Sequence, residues 1–419
     1  MKPTQPQEYL PACPLGSALR ITKIETSIPH RVMPGLLLMR ITTEDGTVGF
    51  GETYYGPTAA AALIHDWMSD RLLGADALSI ESHWRFFYER FGNFGIGGAE
   101  MRAISAVDLA LWDILGKVTG QPIYRLLGGP VRSKVDIYNS CGNPGYGANP
   151  TGRVLWPGYG SQGKPGALED SYQLFHDPAG LAHELLAEGQ QGVKVWAFDE
   201  LAHRHGGMRL PLDELKKAVR PLEILRETAG DALDIMVDGH GFFMLPAARQ
   251  IAEVLAPIKP LWLEDILKID NVSTLADFRH HAGLPISASE MLLTRPQYLE
   301  ALQKNAADYV MVDPTWCGGI SESIKICQLA QGFNVPSTTH DCTGPLTLFA
   351  GIHINAAIPG CCYQETVRAH IRSFYNELID ELPEIRSGQV SLPTRPGLGV
   401  AVDERCFDRD QPHYRVSTL

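Results

Sequence analysis

DIMVDGH (234–240), PLWLED (260–265), PISASE (285–290), YVMVDPTW (309–316) and VPSTTH (335–340) repeat one design. Each is a short apolar run with a polar or acidic residue at or near its end, and helical stretches separate them. From Asp238 through Glu264, Glu290, Asp313 and His340 to Glu365 the steps are 26, 26, 23, 27 and 25 residues. One strand, one helix and two short loops need about that length. Outward from this core, KVDIYNSC (134–141) and GVKVWAF (192–198) precede it and CCYQETV (361–367) follows. Eight strands alternating with helices predict an α/β fold, a (β/α)₈ barrel of the TIM type. An open doubly wound sheet would carry a compact glycine-rich phosphate loop after its first strand. The glycine-rich stretch at 141–166 is too long and too proline-interrupted for that.

The flanks read differently. Residues 1–20, rich in proline and polar groups, are expected to be a flexible lead-in with no apolar signal segment. Between 21 and 130, strand-like alternation gives way to helical periodicity, with a strong amphipathic helix over 101–119 stopped by Gly120 and Pro122. This predicts an α+β capping domain over 21–130, a barrel over 131–386, and a segment at 387–419 that returns to the cap. The 419 residues carry a net charge of −12, which argues against a nucleic-acid partner. No apolar run approaches the ~20 residues of a membrane span. The eight cysteines include no CxxC pair, so neither a thiolate metal site nor a disulfide framework is indicated. A soluble, cytoplasmic protein is expected.

In a barrel the C-terminal strand ends form the active-site floor. Lys194, Asp238 with His240, Glu264, Glu290, Asp313, His340 and Glu365 occupy those ends. Each carboxylate alone could be a helix cap or an ion-pair partner. Asp238, Glu264 and Glu290 on three successive strands would converge and repel, and a hard divalent cation such as Mg²⁺ or Mn²⁺ resolves that repulsion. Asp313 and His340 on adjacent strands suit an Asp–His base pair, His240 approaches from the other side, and Glu365 is read as a protonated donor to developing negative charge.

VDGH (237–240), LED (263–265), SASE (287–290), VDPTWCGGIS (312–321), STTHD (337–341) and QET (364–366), in this order and spacing, resemble the enolase superfamily. The likeness is to its mandelate racemase-like group, and within it to galactonate dehydratase-like acid-sugar dehydratases. The resemblance covers about 20–410. It implies a modified (β/α)₇β barrel under an α+β cap formed by the N-terminal region and the C-terminal tail, essential Mg²⁺ on Asp238, Glu264 and Glu290, a His340–Asp313 base dyad and Glu365 as electrophilic acid. It also implies a homo-oligomer acting on a small-molecule sugar acid. Racemase-like members often carry Lys-x-Lys at strand two. Here the motif is Lys194-Val195-Trp196, which leaves Lys194 to help neutralise the substrate carboxylate and points to His240 as general acid. The implied reaction is dehydration to a 2-keto-3-deoxy acid. An epimerase or racemase using both histidines, and a non-catalytic relative, are the alternatives. Substrate contacts are expected from Tyr54, Tyr55, the stretch 91–98, the glycine-rich loop, and His203, His205 and Arg209, with Trp196 at the wall.

Overall fold

The computed structural model describes residues 19–93, 95–145 and 164–419. The lead-in to residue 18, Phe94, and 146–163 of the glycine-rich stretch lie outside the described residues. Three strands, β1 (Ile21–Ser27), β2 (Leu36–Thr43) and β3 (Val48–Tyr54), form an antiparallel meander. The helix expected from 101 begins at Ala99, ends at Thr119 and is closed by Gly120 in the left-handed region. It lies on β3 so closely that Gly49 and Gly51 have no room for a side chain, because a Cβ there would run into the Ala110 and Ala106 carbonyls. Two residues apart, both glycines face the helix, and the VGFGET sequence thereby sets how near the layers approach.

Eight parallel strands follow: β4 (Lys134–Ser140), β5 (Gly192–Val195), β6 (Asp234–Asp238), β7 (Trp262–Glu264), β8 (Ile286–Ala288), β9 (Tyr309–Val312), β10 (Ser337–Thr339) and β11 (Cys361–Thr366). They hydrogen-bond in sequence order, and β11 pairs with β4 to close the barrel. Most strands are shorter than their apolar segments, which leaves Glu290, Asp313 and His340 just past the ends of their strands. Tyr138, Met236, Trp262 and Met311 are fully buried together inside the barrel. They plug it beneath the polar strand ends.

After β11 the chain makes a hairpin, β12 (Ile385–Arg386) and β13 (Gln389–Ser391), whose second strand pairs antiparallel with Lys134–Asp136 of the barrel. The expected boundary at 387 therefore falls inside a hairpin attached to the barrel. The return to the cap comes later: the Leu398 N–H donates to Asp113 of the cap helix at 2.8 Å, and β14 (Arg415–Thr418) joins the edge of β1. The cap also grips the barrel where the loop after β9 enters the helix Gly319–Gly332. Trp84 Nε1 donates to the Gly318 carbonyl at 2.7 Å, and the Ser321 N–H donates to Asp108 at 3.0 Å. No helix among the described residues is long and apolar enough to cross a membrane.

The close approach at β3 makes a direct prediction. Gly51→Ala should force the cap helix off its sheet and cost about 1–3 kcal/mol, the usual range for overpacking. Thermal unfolding should show a lowered Tm, and an unchanged Tm would mean that this contact is not tight.

Candidate active site

Asp238 and Glu264 are register partners on β6 and β7, and Glu290 follows β8 by two residues. All three are buried, and each offers a ligand atom within 4.8 Å of the others. Repulsion at that spacing is about 3 kcal/mol per ionised pair, taking an effective dielectric near 20. Lys194 of β5 answers it. Its ammonium, 1% exposed, is 2.5 Å from Glu264 Oε1, 3.0 Å from Glu365 Oε1 and 3.5 Å from Asp238 Oδ2. Burial works against the charge on Lys194, but Glu264 and Glu365 overcome it and hold its pKa well above the usual value. One ammonium cannot neutralise the cluster. Burial, joined by Asp238 and Glu365, still pushes Glu264 well above the carboxylate range, and burial raises Glu290. Asp238 is lowered despite burial, by His240, Lys194 and its hydrogen bond from the His240 N–H. An all-oxygen, anionic donor set with surplus negative charge fits a hard divalent cation.

Two histidines flank this cluster from barrel strands three and seven, on opposite sides of the ring. His340 Nδ1 lies 2.7 Å from Asp313 Oδ2. A carboxylate only accepts, so Nδ1 carries the proton and Nε2 is turned inward, 3.1 Å from Glu290 Oε2 and 4.0 Å from Glu365 Oε2. His240, at φ 47°, has the same arrangement. Its Nδ1 donates to Asp199 Oδ2 at 2.8 Å, and its Nε2 is 3.4 Å from Asp238 Oδ2. Burial opposes protonation of both rings. Glu290 and Glu365 outweigh it at His340, and Asp238 and Asp199 at His240, so each is raised to about 10. Neutralising the carboxylates would remove the reason for that second proton and free Nε2 to act as a base.

The structure thus brings together Lys194, Asp238, His240, Glu264, Glu290, Asp313, His340 and Glu365. Glu365 accepts from Lys194, from the Ser140 hydroxyl and from the Asp341 N–H. Lys194 reaches it from β5, with only β4 between the two strands. Asp199, the partner of His240, was not singled out in the sequence. It opens a short helix after β5, 41 residues from its histidine. Trp196 and Trp316 line the two sides, with ring centroids 5.7 Å from His240 and 5.1 Å from His340. Tyr55 lies against Trp316, whereas Tyr54 is buried. His205 is turned to Glu214 at 3.2 Å, and His203 and Arg209 are exposed.

The charge balance yields a prediction for metal-free protein. Glu264 and Glu290 have raised pKa values in the fold, so their contribution is complete below the ordinary carboxylate range near 4.5 and is lost as pH rises through the raised values. Lys194→Met should steepen that loss and cost about 3–5 kcal/mol at neutral pH, as removing one partner of a buried ion pair does. Urea unfolding with chelator present measures it; a variant as stable as wild type at neutral pH would refute the charge balance described.

Comparison with known proteins agrees with this geometry. Residues 18–128 match the family model for the mandelate racemase / muconate lactonizing enzyme N-terminal domain, and residues 178–406 match that for the enolase C-terminal domain-like family. The D-galactonate dehydratase of Ralstonia pickettii is 28% identical over 92% of this chain and 93% of its own. A D-galactonate dehydratase family member of Streptomyces bingchenggensis is 31% identical over 87% of each. The crystal structure of an enolase of the mandelate racemase subgroup from Agrobacterium tumefaciens superposes with a TM-score of 0.82 at 34% identity, covering 95% of this chain and 99% of its own. The chain belongs to the mandelate racemase / muconate lactonizing enzyme family of the enolase superfamily.

Proposed function

We propose that this protein is a Mg²⁺-dependent dehydratase that removes the α-proton of a sugar acid and eliminates its β-hydroxyl, giving a 2-keto-3-deoxy acid. The observation that carries the reading is the pair of Asp–His dyads on opposite barrel strands, each with its Nε2 facing one carboxylate cluster. Relatives named D-galactonate, D-gluconate and arabinonate dehydratase support elimination from a sugar acid. Asp238, Glu264 and Glu290 are the residues that would hold the cation. When bound, it would neutralise the substrate carboxylate and stabilise the negative charge that proton removal moves onto it.

The chain's own groups divide the remaining work. Asp313 fixes the tautomer of His340, so Nε2 takes the α-proton. Lys194 supplies fixed positive charge at the base of the same cluster. On the opposite side, Asp199 holds His240 so that Nε2 gives its proton to the departing hydroxyl, which leaves as water. The resulting enol then tautomerises to the 2-keto acid. Hydrogen and oxygen balance without an oxidant or reductant.

Incubation with a panel of aldonic and aldaric acids plus Mg²⁺ should produce 2-keto acid from at least one of them. Chelation should stop production and added Mg²⁺ restore it. His340→Asn should abolish both keto-acid formation and α-deuterium exchange. His240→Asn in D₂O should still exchange the α-hydrogen with retained configuration, while keto acid falls by about 10²–10⁴-fold, the typical contribution of a positioned acid. An inverted epimer and no keto acid from native protein would make the chain an epimerase.

A further inference from the structure

Arg102, on the cap helix Ala99–Thr119, brings a second positive charge to the mouth of the barrel. Its Nε donates to the Tyr54 carbonyl at 2.7 Å, and its guanidinium carbon lies 4.6 Å above the centre of the Trp316 ring. Trp316 is the ring that flanks His340 at 5.1 Å, so Arg102 stands one aromatic layer from the proposed base. Asp313, Tyr55 and Glu290 are near enough to favour its charge, yet burial outweighs them. None of the acidic groups among the described residues forms an ion pair with it, and its Nε bond to Tyr54 is the only hydrogen bond its side chain makes there. The indole Nε1 of Trp316 is also buried with no acceptor among those residues.

A partly desolvated guanidinium without a counter-ion is unfavourable, and stacking on an indole offsets only part of that cost. With Nε engaged, the two terminal nitrogens are left for a partner. They present a pair of parallel N–H donors, the geometry that matches a carboxylate. Hydroxyl groups can accept such bonds but cannot neutralise the charge. An extended six-carbon diacid spans roughly 6–8 Å between its carboxylates at ~1.5 Å per bond. Asp313 and the cluster carboxylate Glu290 are near enough to act on the Arg102 charge, so a diacid held at the cluster has its far end on the side where Arg102 stands.

We infer that Arg102 binds an anionic group at the far end of the substrate, and that this group is a second carboxylate, making the substrate an aldaric acid. The inference rests on the sugar-acid reading above and names its substrate class. The relatives' names describe aldonic acids, whose far end is an uncharged hydroxymethyl group, so the two classes are separable by experiment.

The test uses full-length protein with Mg²⁺. Aldarates, aldonates and 6-phosphoaldonates of matched stereochemistry are compared by kcat/KM, and calorimetry measures aldarate binding to the inactive His340→Asn variant. The expected result is a preference of about 10²-fold or more for the aldarate, as for other buried polar recognition. In Arg102→Met that preference should collapse, chiefly through KM, and Arg102→Lys should recover part of it. A fall by the same factor for every substrate would mean that Arg102 only supports Tyr54 and Trp316, and would overturn the inference. So would a native preference for aldonates, or for phosphorylated aldonates. Aldarate binding that weakens on adding Arg102→Met to His340→Asn supports the subsite even if no acid is turned over, and binding indifferent to Arg102 overturns it. Absence of turnover by itself counts against the dehydratase reading instead.

Discussion

The contact of Lys194 with Glu264, Glu365 and Asp238 is the interaction on which the centre of this molecule depends. Burying one carboxylate is costly, and burying several within contact of one another is worse unless positive charge accompanies them. The barrel supplies one ammonium at its floor and leaves the cluster still too negative. That residual imbalance explains the rest of the electrostatics: raised Glu264 and Glu290, and two histidines held protonated. It is also the condition that would favour a hard cation, whose charge would leave the histidines free to give up their extra proton.

The fold is arranged to hold that cluster still. An apolar plug of Tyr138, Met236, Trp262 and Met311 closes the barrel below it, and Trp262 Nε1 donates to Glu264 at 2.9 Å. Above it, the cap fixes the loop that follows Asp313. Thr53 donates to the Thr315 carbonyl, and Thr315 in turn donates its N–H and hydroxyl to Asp313. Glu52, on the same cap strand, accepts from the N–H and hydroxyl of Thr347 in the first turn of helix Pro345–Ala357. Burial raises the Glu52 carboxyl to about 7. The cap therefore carries side chains that set the position of the Asp313–His340 pair, as well as covering the barrel.

Much of this was legible in the sequence, because strand spacing and the residue at each strand end are local properties. Barrel closure then converts that order into a ring, so Asp238, Glu264 and Glu290 could be grouped from their steps alone. Asp199 carries no signal of its own in the sequence, because an acidic residue opening a helix is ordinary, and only the turn at His240 brings the two together. Arg102 was hidden for a different reason. It lies on the cap, and its contact with Trp316 exists only once the two units dock. Residue spacing does not show that Lys194 meets Glu365, because that contact exists only once the barrel closes and sets β4 between their strands. The hairpin at 385–391 likewise depends on a free edge of β4 near residue 134.

The most direct test of the central claim is to titrate metal-free protein with Mn²⁺ and follow the free ion by electron paramagnetic resonance. The account predicts one saturable site per chain, displaced by Mg²⁺ and lost when Glu264 and Glu290 are both changed to glutamine. Binding that survives that double substitution unchanged, or no saturable site in wild type, would contradict the claim that this carboxylate cluster is built to hold a divalent cation.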